Sequence, residues 1–391
     1  MSKLEQLINE LCPNGVEWIE LGNILEYEQP TKYIVESTDY DQSYNIPVLT
    51  AGQTFILGYT NERTGIYTAS SANPTIIFDD FTTAFHWVDF DFKVKSSAMK
   101  MLRPKVTFKG LFRYIYYAMK CIGYEAVDHS RHWISKYSHF EIPIPPLPVQ
   151  EEIVRILDAF TSHAAELQAE LQARREQYEY YRDKLLSFEG DSSVEWLPMG
   201  DVGEFIRGNG LQKKDFTESG VGCIHYGQIY THYGTWATKT KTFCSKELAE
   251  KVTPVKPGNL VIACTSENIE DVCKAVAWIG NEDIVTGGHA AVFCHEQDPK
   301  FISYLFQTEY FFQQKRKYAQ GTKVIDIKTR DMAKIPIPIP PLSEQRRIVA
   351  ILDKFEALVN DLTEGLPAEI AARQEQYEYY RDKLLSFPKA V

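Results

Sequence analysis

Long apolar runs are missing from this sequence. Phe301–Phe306 and Tyr114–Met119 are typical, far short of the roughly 18 residues a membrane helix needs. The first residues, MSKLEQLINELC, lack the charged-then-apolar order of a secretion signal. We therefore expect a cytoplasmic protein with no membrane attachment. Paired cysteines are missing too. Cys12, Cys121, Cys223, Cys244, Cys264, Cys273 and Cys294 are odd in number, and none is spaced Cys-x-x-Cys. That argues against a disulfide framework and a zinc module, and for reduced, mostly buried thiols.

The signatures of catalysis are absent as well. There is no Walker A pattern, no H-E-x-x-H and no G-x-S-x-G. Gly208-Asn-Gly210 and Gly220-Val-Gly222 lack the third glycine of a dinucleotide or S-adenosylmethionine loop. Asn73-Pro74 opens like an adenine methyltransferase motif, but Thr75 and Ile76 follow, which reads as a loop-to-strand junction. His129 and His132 have metal-like spacing without a supporting Cys or carboxylate cluster. We expect no catalytic centre, no metal and no cofactor in this chain. Net positive charge is also lacking: 42 Lys and Arg stand against 53 Asp and Glu, giving −11. By itself that disfavours nucleic acid, although local charge matters more than the sum.

What is present is repetition. EQYEYYRDKLLSF occurs at Glu176–Phe188 and again at Glu375–Phe387. IPIPPL occurs at Ile142–Leu147 and Ile337–Leu342, and IVRILDAF at Ile153–Phe160 matches IVAILDKF at Ile348–Phe355. Val16-Glu17-Trp18 recurs as Val194-Glu195-Trp196, each with a glycine four residues after the tryptophan. Between the markers lie two regions of little mutual identity. A frame copied nearly verbatim carries two diverged domains.

After each IPIPPL a long helix is expected. From Gln150 to Ser187 its apolar seam runs Ile153, Leu157, Phe160, Leu167, Leu171, Tyr178, Tyr181, Leu185 at heptad spacing. The second copy runs Ile348, Leu352, Phe355, Val359, Leu362, then Tyr377, Tyr380, Leu384, with a four-residue stutter near Gly365 and Pro367. A stutter unwinds a coiled coil, so a break or kink is expected there. Matching seams imply that the helices pack on each other. Lys3–Leu11 followed by Val16-Glu17-Trp18 parallels Lys184–Phe188 followed by Val194-Glu195-Trp196, and looks like the missing tail of a repeat that ends at the C-terminus. The expected object is circular and pseudo-two-fold, with neighbouring termini.

The variable regions read as mixed α/β. Strands are expected at Asn45–Leu49, Thr75–Phe78, Phe90–Val94, Asn259–Cys264, Val272–Trp278 and Ala290–Cys294, and helices at Phe108–Cys121 and Pro299–Tyr318. Basic residues concentrate here. Lys93–Lys136 carries +8 and Lys300–Lys334 carries +5, whereas the helix Gln150–Glu189 carries −4. Two such runs in corresponding places suggest a phosphate-facing surface. Gln53, Gln228, His289, Lys323 and Arg330 sit where loops could bring them to base edges. Further DNA-contact candidates are Lys93, Lys95, Lys100, Arg103, Arg131, His132 and Lys136 in the first region. In the second they are Lys213, Lys214, Lys239, Lys241 and Lys328.

The doubled IPIPPLxxQxxIVxILDxF, each copy followed by a helix ending QYEYYRDKLLSF, resembles the specificity subunits of type I restriction-modification systems. The resemblance covers essentially the whole chain. It implies an α+β fold with two mixed α/β target-recognition domains, separated by two long helices packed as an antiparallel coiled coil. The implied boundaries are an N-terminal lead-in at 1–22, domain one at 23–141, a central spacer at 142–190, domain two with its lead-in at 191–336, and a distal spacer at 337–391. It also implies that each domain reads one half of an asymmetric, bipartite target in double-stranded DNA. The helices would set the half-site spacing and dock two modification subunits, which bind S-adenosylmethionine and methylate adenine. Restriction subunits would bring ATP, Mg and cleavage. A coiled-coil scaffold that binds proteins without DNA specificity is the alternative, and a self-contained methyltransferase or nuclease a third reading.

Overall fold

The computed structural model describes residues 2–52, 54–126, 130–361 and 364–390. The first spacer is one helix, Leu147–Ser187, 41 residues long. It starts three residues earlier than expected, because Pro148 falls in the first turn, where a missing N–H breaks no bond. The second spacer is two helices, Leu342–Asn360 and Leu366–Leu384. The break falls at the stutter. A Cβ on Gly365 would lie 2.5 Å from the Ala357 carbonyl, so the turn requires glycine. Pro367 then occupies the first turn of the next helix. No described helix is long and apolar enough to cross a membrane.

The chain forms two compact units, Met1–Leu167 with Ile370–Val391, and Gln168–Glu369. Each holds one variable region and part of each spacer. In the first unit Phe160 stacks on Tyr380 at 5.6 Å; in the second Tyr181 stacks on Phe355 at 5.9 Å. These are the same pair with the repeats exchanged.

The repeated markers pair with each other. In the first unit Glu17–Glu20 runs antiparallel to Glu141–Ile144, with Trp18 opposite Pro143. In the second, Glu195–Pro198 does the same with Pro336–Ile339, and Trp196 faces Pro338. The marker glycines let the chains close: a Cβ on Gly22 or Gly200 would sit 3.2 Å from the side chain of Ser138 or Ala333. The C-terminal segment completes the first unit. The Ala390 N–H donates to the Val16 carbonyl at 2.9 Å, and Leu4, Leu385 and Phe387 share one core.

Within that frame the two diverged regions have one topology. The first unit orders its larger sheet Leu25–Glu28, Met99–Pro104, Thr75–Asp79, Phe85–Val88. The second orders Gly203–Arg207, Ala290–His295, Leu260–Ala263, Ala275–Trp278, with Trp236–Ala237 added at the edge. A smaller sheet in each contains one parallel pair, Ile46–Leu49 with Lys93–Val94, and Val221–Ile224 with Ile284–Thr286. Four expected elements differ: the strand expected at Val272–Trp278 is Ala275–Trp278, the helix expected at Phe108–Cys121 is Phe112–Met119, and two more change as follows. The strand expected at Phe90–Val94 shortens to Lys93–Val94. The helix expected over Pro299–Tyr318 is two, Pro299–Leu305 and Glu309–Arg316. Thr308 caps the second, its hydroxyl accepting from the Phe311 N–H at 3.2 Å.

The motif residues fasten each variable region to its spacer. Gln150 is buried. It donates to the Pro145 carbonyl at 2.8 Å and accepts from the Leu111 N–H at 2.9 Å. Gln345 repeats this with Pro340 at 2.8 Å and Asp298 at 3.0 Å. The Asp of ILDxF is the second fastening. Asp158 accepts from Arg113 at 2.8 Å and the Tyr117 hydroxyl at 2.5 Å; Asp353 accepts from Lys300 at 2.7 Å and Tyr304 at 2.8 Å.

Candidate nucleic-acid interface

Several expected contact residues are committed to the interior, for a common reason. An unpaired buried charge is costly, so a buried lysine must have a partner. Lys93 is 2% exposed, bound to Glu62 at 2.5 Å and the Thr64 carbonyl at 2.8 Å. Lys100 is 1% exposed, paired with Asp80 at 3.0 Å and lying over the Tyr27 ring. His132 is fully buried, with Nδ1 3.0 Å from the Tyr124 hydroxyl. These three cannot reach a phosphate, which corrects the expectation. Arg103 is half-buried over Tyr67 and donates to the Thr68 carbonyl at 3.3 Å. The +8 run therefore overstates the charge facing solvent. Arg113 is likewise bound to Asp158, and Lys120, held down to about 8 chiefly by burial, donates to the Phe85 carbonyl. In the second run Lys300 pairs with Asp353, Lys315 is buried against the carbonyls of Glu270 and Val272, and Lys334 pairs with Asp331.

Lys95, Arg131 and Lys136 are exposed. Lys95 follows the parallel strand pair, its ammonium 3.4 Å from the Tyr40 hydroxyl. Beside it, the loop after Ile46–Leu49 is pinned by His86, whose Nε2 lies 3.1 Å from the Gly52 carbonyl and whose ring stacks on Phe55. Gln53 lies outside the described residues, as does the spacer position Leu362.

The second unit has a better-defined site. Lys213, His225, Tyr226 and His289 line a cleft of about 380 Å³. Tyr226 and His289 also line a neighbouring one of similar size, with Tyr230, Ser266, Asn268 and Val324. Five segments converge here: 210–213, His225 with the helix Tyr226–Thr231, 265–271, 288–289 and Val324. His289 is exposed, with φ +68°, and its ring is 5.0 Å from Tyr226. His225 is buried, and its Nδ1 accepts from the Gly227 N–H at 3.2 Å. Burial, then the positive charge of Lys213, holds its pKa below the usual imidazole value. It is therefore neutral near pH 7, with the proton on Nε2. Sequence reasoning missed His225 and Tyr226. A His-Tyr-Gly turn directly after a buried strand was the available signal.

Gln228 plays a different part from the one expected. Its carbonyl accepts from the His225 N–H at 3.0 Å and its amide donates to Thr242 at 3.0 Å, so it staples the loop. Lys214 and Lys323 are exposed beside cleft-lining residues. Lys239, Lys241, Lys328 and Arg330 are exposed elsewhere, and Arg330 is 3.7 Å from Asp331.

On the spacers, Ile153, Leu157, Leu167, Leu171, Tyr178, Ile348, Leu352 and Val359 are buried, and Phe160, Phe355 and Tyr377 half-buried. Tyr181 and Tyr380 remain 38% and 37% exposed despite their stacking. At the helix ends the buried residues are Leu186 and Leu385, one beyond the expected Leu185 and Leu384, which are half-buried. A straight helix drifts about 20° per heptad from a strict seven-residue repeat, roughly one residue between Ile153 and Leu185.

The model of the type I restriction modification DNA specificity domain matches residues 13–176 and 192–372. A type I restriction enzyme specificity subunit of Escherichia coli is 44% identical, covering 100% of this chain and 98% of that protein. A putative type I restriction enzyme specificity subunit of Haemophilus influenzae is 30% identical over 95% of this chain and 96% of its own. Two solved structures share the fold. The S subunit of a type I system from M. genitalium has a TM-score of 0.55 at 13% identity, covering 95% of this chain and 96% of its own. A chain from a study of assembly and conformational transition of the type I R-M system has 0.58 at 18%, covering 96% and 98%.

Proposed function

Because this chain belongs to the type I restriction-modification DNA specificity family, we propose that its two variable regions each read one half of an asymmetric, split DNA target. One observation carries this: a single strand topology occurs twice in one chain, with the frame retained and the loops replaced. Identical halves would read a palindrome; these differ, so the target has no two-fold symmetry. A spacer of fixed length makes the second half-site an intramolecular partner of the first, so weak readers add only at the right separation. The frame occurs twice nearly verbatim, which suits docking of two copies of one modification subunit. That partner supplies S-adenosylmethionine and methylates an adenine taken out of the stack. ATP and Mg belong to the restriction subunits. This chain supplies recognition and spacing, and no chemical step.

The test is co-expression with the neighbouring modification subunit, followed by single-molecule mapping of methylated bases. A split, asymmetric motif with one methyladenine in each half is expected. A soluble, assembled complex that methylates nothing, and whose DNA retention is insensitive to salt, would favour a protein-binding scaffold instead.

A further inference from the structure

We propose that His289 and Tyr226 read a base in the half-site of the second domain, with Lys213 on the backbone beside it. This rests on the DNA-recognition reading above and assigns it to residues. Strand registers align the two domains position by position. Val48 and Leu49 pair with Lys93 and Val94; Cys223 and Ile224 pair with Val285 and Thr286 in the same parallel sense. Beyond those strands the chains part: His225 caps the helix Tyr226–Thr231, whereas Thr50, Ala51 and Gly52 lead through a bend. In the larger sheet Leu102 faces Tyr27 and Ile76, as Phe293 faces Phe205 and Leu260. Counting back along those strands puts Ala98 in the place of His289, the loop from the parallel pair being one residue shorter in the second domain. A shared backbone bond fixes the match. The Asp80 N–H donates to the Ala98 carbonyl at 2.9 Å, and the Cys264 N–H to the His289 carbonyl at 2.8 Å.

Just beyond the matching strands, then, the first domain carries Thr50, Ala51 and Ala98. The second carries two imidazoles and a phenol. The strands are retained while the loop backbone, side-chain size and hydrogen-bonding character change. That is the pattern two readers of different sequences require, since phosphate contacts position the protein and base-edge contacts specify the sequence. A purely structural role does not explain an exposed imidazole on a left-handed backbone that its counterpart avoids, because a side chain there is disfavoured. The chemistry of the cleft is donor-rich. His225 is locked with a proton on Nε2, Lys213 is cationic, and Tyr226 brings a hydroxyl. It fits a base edge that presents acceptors in the major groove, as guanine does with N7 and O6.

The experiment maps methylation by the full-length chain in complex with its modification subunit, comparing wild type, His289→Asn and Tyr226→Phe. Asparagine tolerates the left-handed conformation, and Tyr226→Phe deletes one oxygen. Discrimination is expected to fall about 10- to 100-fold at one base pair of one half-site, with the other half-site and the gap unchanged. An unaltered motif in both variants overturns the inference. So does uniform loss of methylation with the motif intact, which marks a phosphate contact or a structural role. If His289→Asn fails to assemble, Tyr226→Phe is read by the same outcomes. A wild-type complex that yields no split motif defeats the DNA-recognition reading itself; a wild-type motif that the variants leave intact defeats only this assignment.

Discussion

Lys100 offers a sharp test of whether a basic residue in a reading domain faces DNA or the core. Lys100 and Asp80 are 1% and 2% exposed and 3.0 Å apart, and the Asp80 carboxylate also accepts from the Trp133 N–H at 2.8 Å. Lys100→Met keeps the length of the side chain and strands the carboxylate. Breaking a buried pair from one side costs about 3–5 kcal/mol. Asp80→Asn keeps an acceptor for Trp133 and strands the ammonium, at a similar cost. The double variant buries no charge and should lie within about 2 kcal/mol of wild type, because replacing both partners is often nearly neutral. The second domain contains the precedent: strand register puts Ala291 and Cys264 at these positions, both fully buried. Urea denaturation of the four proteins measures the cycle, and a coupling energy of several kcal/mol is expected. DNA binding by the assembled complex is measured in parallel against salt. A lost phosphate contact lowers the log–log slope by about 0.9, and no change is expected here. Lys100→Met with wild-type stability and a shallower salt slope would refute the reasoning.

Three further outcomes follow from the same structure. Burial holds His295 down to about 4, and protonation would also displace the Gln297 N–H from Nδ1, where it donates at 3.1 Å. The unfolded chain takes up a proton that the native state refuses. Stability fully present above pH 6.5 is therefore lost as pH falls towards 4, by about 3 kcal/mol, and His295→Phe should flatten that part of the urea midpoint against pH. Gln150→Leu and Gln345→Leu each orphan a part-buried N–H and a buried proline carbonyl and should cost about 1–3 kcal/mol apiece; markedly unequal losses would show that the two fastenings are not equivalent. Deleting Ala165–Gln168 shortens the long helix by about 6 Å, at most about two base pairs. Methylation mapping should show a smaller gap between unchanged half-sites, and a constant gap would exclude the helix as the ruler.

The frame was legible because its signals are local. IPIPPL, ILDxF and the heptad seam each declare themselves within a few turns, and their duplication doubled the signal. The stutter at Gly365 gave the break between Asn360 and Leu366 directly from spacing. The interior of the reading domains was less legible because its chemistry is non-local. Lys93 and Lys100 add to a charge run, but Glu62 and Asp80, which neutralise them, lie 31 and 20 residues away. One clue was present. Both lysines sit between buried apolar residues, Phe92-Lys93-Val94 and Met99-Lys100-Met101, and the second lies in a central strand, where a lysine has no route to solvent. The break at Thr308 was also readable, since a Thr-Glu step inside a helical run is a capping signal.

The likeness of the two domains was illegible for a deeper reason: what they share is backbone pairing, which leaves side-chain identity free. The buried ion pair of one is an alanine and a cysteine in the other, and both satisfy the same strand positions. What cannot drift is what touches the spacer. Asp158 and Asp353 receive a tyrosine and a cation from helices that otherwise share little sequence, with Arg113 and Lys300, Tyr117 and Tyr304 at matching positions. Gln150 and Gln345 each hold the N–H of the residue just before such a helix. A domain replaced by another is held in the same orientation provided it brings those few groups. The division of labour between fixed fastenings and free loops therefore lets one frame carry two specificities.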